Sequence, residues 1–150
     1  MITRILVAVD DSADSFSAAR VAIQLAARLG GRLRVLHVSA DHLLSATIST
    51  ASAVADAPQR RAVAATGLLA RVSELAAVAG VEVETELGEG EVGPAVVAAA
   101  EAWGADLVVL GRAAHHVGGA PYVGSQTRYV LELADLPVLV VPHLRDESVR

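Results

Sequence analysis

The 150-residue sequence predicts an open, doubly wound α/β fold, a five-stranded parallel sheet with helices on both faces. Three observations carry that expectation. Five apolar, β-branched runs recur at residues 5–9 (ILVAV), 33–38 (LRVLHV), 81–87 (VEVETEL), 107–110 (LVVL) and 138–141 (VLVV). Ala-rich stretches long enough for helices separate them, and strands alternating with helices build βαβ units with right-handed crossovers. The first, fourth and fifth runs are nearly continuous in hydrophobicity, as parallel strands covered on both faces require.

The elements follow in order. After the first strand, Asp10-Asp11-Ser12-Ala13-Asp14 supplies several candidate N-caps. Phe16, Ala19, Ile23 and Ala26 then recur at helical spacing, with Arg20, Gln24 and Arg28 opposite, and Gly30-Gly31 ends the helix. A second helix is expected from near Gln59 to Ala79, closing at Gly80. The third strand alternates apolar and acidic residues, which places it at an edge with one wet face. A third helix starts at Pro94, a favourable first-turn position, and stops at Trp103-Gly104; Trp103 is expected to pack it onto the sheet. A fourth runs from Ser125 and ends before Pro137. Residues 39–58, rich in Ser, Thr and Ala, read as either a loop over the sheet or a helical extension.

Composition narrows the function classes. One domain, spanning 1–150, is the size prior, and such a chain buries a proper core. No apolar run reaches the roughly 18 residues of a membrane span, and the chain enters strand-like sequence at once, so neither membrane insertion nor a signal peptide is expected. Cysteine is absent, which removes disulfides and thiolate chemistry and suits a cytoplasmic protein. The net charge of −5, without a basic stripe, argues against nucleic-acid binding. Lysine is also absent, so there is no P-loop lysine and no Schiff base.

Residues 111–125 (GRAAHHVGGAPYVGS) join the fourth strand to a helix start. A strand, a glycine-rich loop and a helix N-terminus together suit phosphate, because glycine admits close backbone approach and the first-turn N–H groups complete the cradle. In doubly wound sheets ligands sit beyond the carboxyl ends of the strands, where strand order reverses. Two loops compete for that place, one at 10–14 and one at 111–124.

The chain resembles the universal stress protein family over nearly its whole length. The resemblance rests on ILVAVDDSADS, LRVLHVSA, WGADLVVLGR, the glycine loop and GSQTRYVLELADLPVLVVPH. Its most specific element is the family's nucleotide pattern: Gly, two residues, Gly, nine residues, then Gly-Ser or Gly-Thr. Gly111, Gly124 and Ser125 match at the required spacing, and Ala114 stands where the second glycine belongs. The resemblance implies that Asp10 lies near ribose and phosphates, while backbone around Val38 borders adenine. It also implies that Gly111, the Ala114 position and Gly124 bring main chain to phosphates and ribose, and that Ser125 and Thr127 add hydroxyls. ATP, or AMP or another adenine nucleotide, is then the ligand, with Mg2+ or Mn2+ accompanying the phosphates. The last strand is similar to the one that pairs family members into homodimers.

Each signal has a plainer reading beside it. Asp10 and Asp11 cap a helix as readily as they touch a ligand, and Ser125 and Thr127 also suit caps. A methyl at Ala114 blocks phosphate approach or a positive φ, whereas helical or extended backbone there tolerates it. His115-His116 reads as solvated loop rather than a metal site, and His37 as a core or edge residue. Arg112, always protonated, is the expected cation for phosphate. Arg128 and Tyr129 are assigned to either pocket mouth or solvent. Asp10 is the only candidate general base, so binding is favoured over catalysis, with slow ATP hydrolysis at most. The leading expectation is therefore a nucleotide-binding homodimer that regulates a stress response through an unknown protein partner. The alternative is a relative that has lost the nucleotide and works as a protein-interaction module.

Overall fold

A computed structural model describes residues 1–39, 57–113 and 122–145, without the side chains of Ala57 and Pro58. Its elements are β1 (Arg4–Ala8), α1 (Ala13–Leu29), β2 (Arg32–Ser39), α2 (Ala57–Val78), β3 (Val83–Glu89), α3 (Val92–Trp103), β4 (Leu107–Gly111), α4 (Ser125–Leu133) and β5 (Val138–Val141). The five strands form one parallel sheet in the order β3-β2-β1-β4-β5. The expected fold class is observed, and the expected edge position of β3 with it.

Alternation of side chains along the strands supplies two cores. Ile5, Val7, Leu33, Val35, Leu107 and Val109 face α1 and α2, meeting Ala19, Ile23, Ala26, Leu69 and Val72. Leu6, Leu36, Val38, Val108 and Leu110 face α3 and α4, meeting Val96, Ala100 and Val130. Small alanines on α1 let that helix lie close to the sheet. Arg20, Gln24 and Arg28 are exposed on its outer side, as the helical spacing requires. Phe16 is only half-buried and carries the Arg71 guanidinium 4.9 Å above its ring.

Element boundaries shift where capping overrides pattern. Strand β3 starts at Val83 rather than at residue 81. Gly80 takes a left-handed φ of 72°, and the N–H groups of Gly80 and Val81 donate to the carbonyls of Ala77 and Ala76. That closing motif consumes the start of the apolar run. Helix α3 begins at Val92, two residues before Pro94, with Glu91 as N-cap. Pro94 still lies in the first turn, where a missing N–H costs nothing. Trp103 packs against the second core, with the Arg34 guanidinium 4.9 Å from its ring centre. Arg34 also pairs with Glu84 and Glu86 on edge strand β3.

Candidate functional site

From β1 the chain steps outward to β2 and β3, then crosses back to β4 and β5. The loops leaving β1 and β4 therefore part to opposite faces and leave a crevice at the strands' carboxyl ends. A cavity of about 510 Å³ occupies it, a size suited to a small-molecule ligand. Its wall brings together Val38 from β2, Asp10 from the end of β1, Gly111 from β4, and Gly124, Ser125 and Thr127 from the start of α4. All six were expected from the sequence. Ala114, with His115, His116, Gly118 and Gly119, lies outside the described residues.

Two helices begin at this cavity, and they begin differently. At α1 the Ser12 hydroxyl accepts the Ser15 N–H at 3.2 Å, so Ser12 is the N-cap. Asp10 Oδ1 accepts the Ser12 N–H at 2.8 Å, and the Asp10 N–H donates to Ser15 Oγ at 2.7 Å. Asp14 is a first-turn carboxylate, 1% exposed, and its Oδ2 accepts the Ala113 N–H at 3.0 Å. Caps and a carboxylate thus neutralise the positive start of α1. At α4, Gly124 is the N-cap and offers no side chain, and the first turn holds no acidic residue. Its leading N–H groups have no intrahelical partner, and the residues carrying them, Ser125 and Gln126, line the cavity.

The two motif glycines serve different neighbours. A Cβ on Gly111 would lie 2.9 Å from backbone atoms of Asp14 and Ser15, so Gly111 is needed for α1 to sit against β4. Among the described residues, and its two chain neighbours aside, a Cβ on Gly124 would come no nearer than 3.5 Å to any atom, and its φ of −61° suits any residue. The fold itself makes no demand for glycine at 124.

The remaining side chains divide between the cavity wall and the fold. The Thr127 hydroxyl is buried and donates to the Gly111 carbonyl at 2.9 Å, tying α4 to β4. A carbonyl only accepts, so the hydroxyl proton points there and the oxygen offers lone pairs to the cavity. Arg112 does not line the cavity: its N–H donates to Val141 and its carbonyl accepts from Gly124, both at 2.8 Å. Its Nε is buried without a hydrogen-bond partner among the described residues. The expected cation is thus not among the described residues of the wall. Arg128 takes the place on the wall instead, as does Gln126, whose Oε1 accepts the Gly93 N–H at 2.7 Å. For Arg128 the sequence left pocket mouth and solvent as alternatives, whereas Gln126 was legible only as a position in a helix whose facing partner was unknown. His37 is structural: its Nδ1 donates to the Val9 carbonyl at 2.8 Å, bridging β2 to the end of β1.

The model of the universal stress protein family matches residues 1–142. The chain is 30% identical to universal stress protein YxiE of Bacillus subtilis, over 94% of this chain and 99% of that protein. It is similar in structure to universal stress protein UspA of Lactobacillus plantarum, with a TM-score of 0.79 and 26% identity over 93% and 97% of the two chains. A universal stress protein of Archaeoglobus fulgidus in complex with dAMP shares the fold at a TM-score of 0.68 and 24% identity, over 94% and 99% of the chains. Two further solved structures of this fold hold cAMP and, in an Arabidopsis thaliana protein, AMP. With its sheet order, its switch-point cavity and this match over nearly its whole length, the chain belongs to the universal stress protein family.

Proposed function

We propose that this chain binds an adenine nucleotide, ATP first, and acts as a homodimeric regulator in a stress response. The observation that carries the reading is the start of α4. It is uncapped, free of acidic residues, and opens on the cavity behind a glycine that the fold does not require. An anion at this helix start satisfies the orphan N–H groups and meets the positive end of the dipole. Val38 on β2, Asp10 just beyond β1 and Gly111 on β4 follow the order of adjacent strands, about 4.8 Å apart, which supports a base, sugar and phosphate taken in that order along the crevice. Solved relatives holding dAMP, cAMP and AMP support the adenine assignment.

Asp10 is the carboxylate on the cavity wall among the described residues. One carboxylate with phosphate oxygens and water suits Mg2+ or Mn2+, so the metal enters with the triphosphate. The chemistry we assign is recognition, with Asp10 held by its turn to contact sugar or metal. Pairing through β5 makes the dimer, and a protein partner then reads the nucleotide state. No described helix is long and apolar enough to cross a membrane. The cysteine-free composition supports a cytoplasmic location.

Titration calorimetry with ATP and Mg2+, on protein checked for carried-over nucleotide, tests the reading with Gly124→Asp alongside. An aspartate at this N-cap position stabilises α4 by about 0.5–1 kcal/mol while placing a negative charge against the phosphates. The expected result is a higher melting temperature together with loss of ATP binding. Saturable ATP binding that survives Gly124→Asp places the nucleotide elsewhere. No binding to the wild type leaves the interaction-module reading, with Ala114 as its cause.

A further inference from the structure

We propose that Arg128 selects the ligand by its phosphate tail, favouring nucleoside di- and triphosphates over the monophosphate; this rests on the nucleotide reading above. Arg128 is the one cationic side chain on the cavity wall among the described residues. It is exposed, and its guanidinium makes no hydrogen bond or ion pair with them. Its backbone N–H donates to the Gly124 carbonyl at 2.9 Å, the first hydrogen bond of α4.

That placement breaks a local rule. A cation beside a helix N-terminus faces the positive end of the dipole and is unfavourable there. At the start of α1 the chain does the reverse, with the Ser12 cap and buried Asp14 in the first turn. At α4 it omits the cap, omits the acid and adds an arginine, so two positive features, the uncompensated helix start and the guanidinium, share the cavity wall. Local rules broken without an internal gain mark functional positions. What repays the cost here is an anion of more than one charge.

Geometry separates the roles of amides and guanidinium. Helical side chains lean toward the N-terminus, so Arg128, one turn in, reaches back over the turn that begins at Ser125. The amides beside Gly124 hold the phosphate next to the sugar, since they share the cavity wall with Gly111 and Asp10. The long, exposed arginine reaches beyond that seat toward the solvent side, where a second or third phosphate extends. Its fork of donors matches phosphate oxygens, and a point-charge residue reproduces only part of that contact. The AMP-sized part of the ligand therefore binds without Arg128, and the outer phosphates bind through it.

The test measures dissociation constants for AMP, ADP and ATP at one ionic strength, on wild type, Arg128→Gln, Arg128→Lys and Arg128→Glu. Arg128→Gln is expected to weaken ATP and ADP about tenfold and AMP less than about twofold. Arg128→Lys restores part of the loss. Arg128→Glu suits the helix start, keeps the protein folded at an equal or higher melting temperature, and turns the preference toward AMP. Equal losses for all three nucleotides, or none, overturn the role of Arg128 while leaving the nucleotide reading intact. A wild type that binds none of the three overturns both.

Discussion

Gly111 and Gly124 belong to one sequence pattern, yet substitution separates what each is for. A methyl on Gly111 meets backbone of α1 at 2.9 Å, and backbone does not yield as a flexible side chain does. Gly111→Ala is therefore expected to destabilise by about 1–3 kcal/mol, a fall of roughly 2–12 °C in melting temperature for a domain of this size. Gly124 has no such neighbour among the described residues, so changes there are expected to leave the fold standing. Thermal melts of the two variants side by side check this, and an unchanged melting temperature for Gly111→Ala refutes the packing role. Asp14 joins the same contact from the other side. Its buried carboxylate holds the Ala113 N–H across 99 residues of sequence, fixing where the glycine loop departs from β4.

Elements are held in register at the opposite end of the sheet by Asp106, just before β4. Its Oδ2 accepts the N–H groups of Thr3 and Arg4 at 3.0 and 2.9 Å and the Thr3 hydroxyl at 3.2 Å. The bonds from Thr3 and Arg4 backbone, in that order, hold its carboxyl below the ordinary 3.8, against a smaller opposing effect of burial. A folded-state value below the unfolded one means that unfolding takes up a proton. The contribution is present in full above the unfolded value and disappears as pH falls through the lowered one. Asp106→Asn is thus expected to lower the melting temperature at pH 7 and to narrow its gap to wild type below about pH 3.8. A gap that stays constant on acidification shows that the carboxylate's charge is not what matters.

At the scale of the whole molecule the two sheet edges differ. Edge strand β3 carries the exposed Glu84 and the half-buried Glu86, both paired with Arg34, which discourages strand addition. Edge strand β5 is wholly apolar, and Leu139, Leu131, Leu133 and Leu144 are exposed on or near it. An uncharged edge flanked by apolar side chains suits a second copy of the chain. Leu139→Lys places a charge on that edge at a position already 36% exposed, so the monomer loses little. The expected outcome is a shift from dimer to monomer in sedimentation analysis with the fold retained. A wild type already monomeric at high concentration rules out pairing through β5.

The strands, their parallel pairing and the place of the crevice follow from hydrophobic runs and glycine punctuation, which are local and written along the chain. Asp10, Gly111, Gly124 and Ser125 were legible for that reason, at the end of an apolar run or the start of a helix, whereas Val38 and Thr127 were named through the family resemblance. Which face each side chain takes was not. The absence of Arg112 from the described cavity wall, the helix rotation that brings Arg128 onto it, and the burial of Asp14 against Ala113 depend on how distant segments pack. Sequence spacing determines that a phosphate-binding pattern is present. Only tertiary structure decides that one of its glycines is required by the packing of α1 on β4 while the other meets no such demand among the described residues, because that depends on what lies within 3 Å of an absent methyl group.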